Sequence, residues 1–486
     1  MAPLSSQNAT AAISCTTTFT AHDGSILCSW VNNPGTRGTL NILWLCVSTL
    51  GLCVWNAVHP DVPHPGTPKW RVVGKRIWWL FVGLFMPELL VLTALGEFRQ
   101  ACTLLVRLSR ETRVPTELPW WLVQVERLYP TPLTGHEIEQ HGKYLPLPVR
   151  CEAILPPLSS VEPEDLTALI PTPASDASLP VTPPTLRKDA AIQTPEAREG
   201  GRKHAWTLAH SFYAVMHGFL SADGDPFWTT TTEAYYTGTV IVVFDTDKGI
   251  QRISAASHDP FSIPDLSADD LDDRSKAGTI AKALLVWQFS VFIANCAARW
   301  NQSLPLSLLE ITTLAHCLCS LVALGLWWYK PHSVGEAAMV GRTRSLPQPP
   351  HIDDLFTAAI HKVLPGKDTI DIPRTIAIIA IAVLYGLPHL LGFSVNFPTS
   401  SEQRCWQLAT FTVICSPLIM CLMFRIGSSA GTFGRLDTVI LVEVLFVIVY
   451  PMSTMFLVGE SMRQIFALPE GSFHQPQLTR YLASFS

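Results

Sequence analysis

The chain has 486 residues, of which 48% are hydrophobic and only 15% charged, with a mean hydropathy of +0.26. Soluble domains carry about 25% charged residues, so this deficit and the long apolar runs exclude an ordinary soluble protein and indicate an integral membrane one. A net charge of −5 argues against a nucleic-acid partner, and the 15 Trp and 22 Phe suit interfacial belts and an aromatic interior.

In chain order, residues 1–38 read as an extracytoplasmic tail. Nothing before residue 39 has the apolar core of a cleavable signal peptide. The tail holds the sequon Asn8-Ala9-Thr10, with Asn8 a glycosylation candidate. Cys15 and Cys28 flank a polar stretch and read either as one disulfide or as two free thiols. The twelve cysteines form no CxxC pair and no zinc-spaced Cys/His set, and most lie in apolar segments as small hydrophobes. Runs long enough to span a bilayer lie at 39–58, 77–96, 279–298, 307–328, 374–395 and 405–425, with a seventh at 437–458. The fold class expected is an all-α integral membrane bundle of about seven to eight transmembrane helices.

The first membrane helices occupy 39–112. Residues 113–204, with "LIPTPASDASLPVTPPTLRKDAAIQTPEAREGG", read as a disordered Pro-rich linker. Residues 205–278 hold a short His-bearing helix, 205–221, and a small, partly ordered extramembrane region in which "YYTGTVIVVFDTDKG" is strand-like. The short helix reads as a thin span, an interfacial helix or a re-entrant piece. The main bundle covers 279–466 and a C-terminal tail covers 467–486. Lys69, Arg71, Lys75 and Arg76 after the first span put the N-terminus outside, and the basic 329–373 loop is then cytosolic. Residues 299–306, with the sequon at Asn301, are then outside. Parity leaves two counts: eight crossings if 77–96 and 205–221 both span, six if both dip without crossing. Lys330, after Trp327-Trp328-Tyr329, reads as an interfacial anchor.

Several stretches together carry a resemblance. They are "RGTLNILWLCVSTLGLCVWNAVHP", "MPELLVLTAL", "WTLAHSFYAVMHGF", "DDRSKAGTIAKALLVWQFSVFIANCAARWNQSLPLSLLEITTLAHCLCSLVALGLWWYKP", "YGLPHLLGFSVNFPTSSEQRCWQ" and "LVGESMRQIFALPEGSF". The chain resembles a large family of mostly uncharacterised fungal multi-pass membrane proteins. Some members sit in secondary-metabolite gene clusters. The resemblance implies an endomembrane protein, in the endoplasmic reticulum or a related compartment, that handles a lipophilic small molecule beside other pathway enzymes. The chain departs from the family pattern at His217, where a second Gly is usual, at "KPHSV" and at "LLGFSVNFPT".

Ionisable groups within apolar runs are costly and mark function or a structural partner. Here they are Glu88, His210, His217, Glu310, His316, His389, Glu443 and Glu460. Glu88 follows Pro87, which frees a carbonyl and kinks a helix. His210 and His217 share a helix face with Tyr213 between them, and Tyr385 and His389 share another. Glu310 and His316, six apart, do not form a local pair, so each needs a partner on another helix. The candidate catalytic set is His210, His217, Glu88, Glu310, His316 and His389. Two readings stand: the simpler and favoured one, that each bonds a carbonyl on a neighbouring helix, and a second in which they share one polar cavity. Asp269, Asp270 and Asp273 have the D-D-x-x-D spacing that binds magnesium and a prenyl diphosphate, although acids before a helix also cap it.

No dinucleotide, P-loop, di-iron, haem-thiolate or GxSxG signature is present. The reading favoured is a cofactor-free membrane enzyme that cyclises or isomerises a lipophilic intermediate, including by a pericyclic step. The alternatives are a transporter of such a metabolite, a non-catalytic scaffold for pathway enzymes, and a magnesium-dependent terpene cyclase or prenyltransferase.

Overall fold

The computed structural model describes residues 15–32, 37–57, 61–63, 66–111, 114–128, 204–221, 229–233, 240–244, 265–275, 279–332, 334–340, 372–429 and 448–475. All belong to one compact unit, Met1–Thr131 with Arg202–Ser486. The second unit, Pro132–Gly201, lies outside them, as does most of the expected linker. Asn8, Glu443 and most of the run at 437–458 are likewise outside the described residues.

The elements are β1 (Thr18–Thr20), β2 (Ile26–Cys28), α1 (Thr39–Ala57), α2 (Lys69–Phe85), α3 (Pro87–Glu111), α4 (Trp120–Leu128), α5 (Leu208–Val215) and β3 (Phe219–Ser221). There follow β4 (Thr229–Glu233), β5 (Val240–Phe244), α6 (Ala268–Arg274), α7 (Thr279–Asn301), α8 (Leu308–Leu326), β6 (Ala338–Val340), α9 (Ile372–His389), α10 (Ser400–Ser429), α11 (Tyr450–Arg463) and β7 (Leu468–Pro469). Among the described residues five helices are long and apolar enough to cross a membrane: α1, α3, α7, α8 and α9, the last counted with the 3₁₀ turn that follows it. A membrane bundle follows from their length and composition.

The bundle is organised around α8, which packs against α1, α3, α7, α9 and α11. Of its window long and apolar enough to cross a membrane 72% is buried inside the protein, against 28% for α7, so α8 is the axis and α7 lies at the periphery. Ser307 starts α8: its hydroxyl accepts from Glu310 N at 3.2 Å, and the Glu310 carboxylate accepts from Ser307 N at 3.0 Å, a reciprocal capping box. Pro388 ends α9 by tightening it into the 3₁₀ turn Leu390–Ser394. There Gly392 lies flat against the Trp406 indole, where a Cβ would collide.

At one end of the bundle β1, β2 and β7 form an antiparallel sheet, with Thr18 opposite Cys28 and Cys28 opposite Leu468. A Cys15–Cys28 disulfide closes the hairpin. The 299–307 connection and residues 395–403 lie at this same end. Arg299 donates to the carbonyls of Ser472 and His474, and Asn396 donates to Asp23 at 2.6 Å. At the other end β3 pairs in parallel with β6, and α5 packs on α3.

The run at 77–96 is not one helix. Pro87 has no N–H to continue α2, the chain breaks at Met86 (φ −142°, ψ 55°), and α3 starts afresh. Nor is 205–221 a span: α5 has eight residues, about 12 Å, and gives way to β3. Its residues instead cover the outer part of α3. The proposed linker is ordered at its start: α4 stacks Trp121 on Phe98 and pairs Glu126 with Arg110 at 2.7 Å. Trp121 and Leu122, with the paired Glu126, give α4 its inward face, which the Pro-rich composition around them masks. The strand-like run does form β5, paired with β4.

Candidate functional site

The break before Pro87 lies at half the depth of α8. His316, near the middle of α8, has Nε2 2.9 Å from Leu84 O in the last turn of α2. Ten residues further along α3, Glu97 meets Trp327 and Lys330, just beyond the C-terminal end of α8. The two helices therefore run side by side for about 15 Å from the break to that end. Asp61, before α2, also approaches Lys330, at 3.8 Å. So α2 rises from the Lys330 end to the middle of the bundle, and α3 returns to the same end.

Glu88 stands on the first turn of α3 at the tip of this hairpin, where the helix dipole favours a carboxylate. It is buried, and neither carboxyl oxygen has a hydrogen-bond partner. Its helix packs against both α8 and α9. Tyr385 is fully buried, and its hydroxyl is also without a partner. Its ring lies edge-on to His316, with centroids 5.4 Å apart, and to His389, at 5.0 Å. His389 Nδ1 donates to Tyr385 O at 3.0 Å, which fixes Nε2 as a bare lone pair, buried and unpartnered. Trp406 Nε1 donates to His389 O at 3.1 Å and holds that turn. A carboxyl, a phenol and an imidazole nitrogen, none of them satisfied, thus gather between α3, α8 and α9.

His316 differs. Nδ1 lies 2.8 Å from Thr312 O and Nε2 2.9 Å from Leu84 O, both carbonyl acceptors, so the ring ties the tip of the hairpin to α8.

The other expected members of the set are elsewhere. Glu310 is fully buried at the disulfide end, 2.5 Å from Arg37 Nη2 and 3.8 Å from Arg299 Nε, with its second oxygen in the capping box. His210 accepts from Thr207 N at Nδ1 (3.1 Å) and donates from Nε2 to Leu266 O (3.0 Å), tying α5 to the segment before α6. His217 follows α5 in the left-handed region, at φ +62°, which explains why glycine suits that position. The six residues therefore do not line one cavity: Glu88, His316 and His389 come together, and Glu310, His210 and His217 do not join them. Glu460 is paired with Arg463 at 2.7 Å.

Lys330 is no interfacial anchor. It is buried, 2.7 Å from Glu97 and 5.0 Å from the Trp327 ring centroid, and Trp327 Nε1 donates to Glu97 at 2.8 Å. Lys282 donates to the carbonyls of Trp328 and Lys330 at 2.7 and 3.3 Å. Burial, with Arg76, Lys282 and Lys330 around it, holds His332 down at about 4.

The Asp269, Asp270 and Asp273 motif opens α6. Asp270 accepts from Ser267 N at 2.8 Å and has its pKa lowered by the Ser267 backbone and hydroxyl, so it is a helix cap. Among the described residues no three His, Cys, Asp or Glu side chains are placed to hold one metal ion. Asn301, the second sequon, is exposed at the disulfide end.

Arg37, Arg299, Glu97 and Tyr385 are the residues that the candidate set missed. Arg299, a cation in the last turn of an apolar helix, was the readable signal.

Residues 11–116 and 184–346, more than half of the chain, match the model of a Family of unknown function (DUF8562). No curated protein and no solved structure matches the chain. The chain belongs to the Family of unknown function (DUF8562).

Proposed function

We propose that the protein is a membrane-embedded enzyme that moves a proton on a lipophilic small molecule, isomerising or cyclising it without a bound cofactor. One observation carries this reading: Glu88, Tyr385 and His389 Nε2 are buried together without partners. Each unsatisfied buried polar group costs about 1–3 kcal/mol, a cost that a fold avoids unless the groups serve a ligand. His389 Nε2 is the base and takes a proton from carbon next to a carbonyl. Tyr385 or protonated Glu88 donates to the carbonyl oxygen as charge builds there. Return of the proton at a second carbon completes an isomerisation. A ring closure uses the same donor to polarise the electrophile. His316 positions the hairpin tip and does not touch the substrate.

In this reading α1, α7, α8, α9 and α10 cross the membrane, with α2–α3 re-entrant from the cytosolic side. The disulfide then faces the oxidising lumen of the endoplasmic reticulum or a related compartment, and Asn301 with it. The family resemblance supplies the fungal secondary-metabolite setting and the neighbouring pathway enzymes. A second reading, transport of the same class of molecule, is favoured by the mid-bundle helix break, a feature of substrate sites in transporters.

The test is metabolite profiling of a host with and without the gene. Microsomes are then given the accumulating intermediate and no added cofactor. Product should form in wild-type microsomes and fall by about 100-fold or more in Glu88→Gln, Tyr385→Phe and His389→Gln, each scored per unit of inserted protein. Unchanged conversion in all three removes the site. Vesicle uptake of an unaltered molecule establishes transport instead.

A further inference from the structure

The disulfide end holds a charge imbalance that the proposed chemistry does not use. Arg37, Arg299 and Glu310 are buried together, two cations against one anion. Glu310 is further offset by the N-terminus of α8, on which it sits. Arg299 is hydrogen-bonded to the carbonyls of Pro305 (2.7 Å), His474 (2.8 Å) and Ser472 (3.1 Å), which are dipoles and carry no counter-charge. Of the other acids of this end, Asp23 is engaged with Ser25 and Asn396, Glu402 and Glu460 with Arg463, and Glu470 is exposed to solvent. Three donors have no hydrogen-bond partner: Arg299 Nε, which faces Glu310 at 3.8 Å, Arg37 Nη1 and the Ser472 hydroxyl, the last two with no anion beside them. Those two belong to adjoining backbone, since Arg37 N donates to Phe473 O at 3.2 Å.

An uncompensated buried charge costs several kcal/mol, and an unbonded buried donor adds to that. A single small anion removes both costs. We propose that this cluster binds one monovalent inorganic anion, chloride under physiological conditions, with the Arg37 guanidinium and the Ser472 hydroxyl as its donors. A phosphate or a lipid headgroup fits poorly, because its several oxygens need more donors than the Arg37 guanidinium and the Ser472 hydroxyl supply. The anion completes a clamp that joins the N-terminal hairpin, α7, α8 and the C-terminal segment.

The test uses the full chain in a non-ionic maltoside detergent, with no phosphate group present. Thermal midpoints are followed as sodium chloride or sodium bromide replaces sodium gluconate at constant ionic strength. Wild type should show a saturable rise with chloride and bromide and none with gluconate. Ser472→Ala should keep the fold and need about fivefold more chloride for half the rise. Arg37→Gln, with the excess charge removed, should lose the response altogether. If Arg37→Gln does not fold, Ser472→Ala decides. Superimposable chloride and gluconate curves overturn the proposal, and so does a response unchanged in Ser472→Ala.

Discussion

Two buried polar clusters share the bundle, and they are built on opposite plans. At the disulfide end Glu310 meets Arg37 and Arg299 and closes its own helix cap. At mid-depth Glu88, Tyr385 and His389 Nε2 meet no hydrogen-bonding group. Both lie on or beside α8, and both hold an acid on the first turn of a helix. Burial and helix position are therefore common to them, and pairing is what separates an acid tied into the fold from one without a hydrogen-bond partner. A list of intramembrane acids from sequence cannot tell the two apart.

The largest effect that tests this contrast is on stability. Glu310→Gln leaves two guanidinium groups without a counter-charge and should cost about 3–5 kcal/mol. It should lower the thermal midpoint and the yield of monodisperse protein. Glu88→Gln removes no native contact and should stay within about 1 kcal/mol of wild type while conversion is lost. Equal destabilisation by both would erase the distinction.

A smaller effect belongs to the covalent part of the same end. Replacing Cys15 and Cys28 by Ser should cost about 2–3 kcal/mol, read as a lower midpoint that reductant no longer shifts. An unchanged midpoint would confine the stability of that end to its ion cluster.

The opposite end supplies a pH test. His332 titrates near 4 in the folded protein and near 6.5 unfolded. Between those values the unfolded chain binds the extra proton, so stability falls as pH drops from 6.5 towards 4 and levels off below. His332→Asn should flatten that stretch of the thermal-midpoint curve. Asp23, held at about 2 by Ser25 and Asn396, contributes only below about pH 4, which keeps the two ends separable. The smallest change is His217→Gly, which relieves a left-handed backbone and should gain about 1 kcal/mol with no change in conversion.

Much of the frame is legible in the sequence, because an apolar run long enough to cross a bilayer has few other fates. The runs at 39–58, 279–298, 307–328 and 374–395 coincide with α1, α7, α8 and α9. Tyr385 and His389, four apart, also read correctly as sharing a face. The hairpin did not, although Pro87 announces its break, because α2 begins among the basic residues Lys69, Arg71, Lys75 and Arg76 and hydropathy alone joins its end to α3. The pairing of Glu310 with Arg37 spans 273 positions and leaves no local signature. Lys330 was misread for the same reason, since its partner Glu97 lies 233 positions away.

The α2–α3 hairpin, re-entrant in the topology proposed above, also constrains how the protein is made. The tip at Met86–Pro87 rests on α8, through His316 and Leu84, yet α8 follows α3 by roughly 200 residues. At translation rates of about 5–20 residues per second, some 10–40 seconds pass before that support emerges from the ribosome. During that interval α4 and α5 can already cover the outer part of α3, but the hairpin tip lacks its rest on α8, with Glu88 and an orphaned Leu84 carbonyl near the hydrocarbon. The hairpin must wait at the membrane surface, or in the care of an insertion factor, and enter after α8 is in place. The order of assembly in this chain is therefore not its order of synthesis.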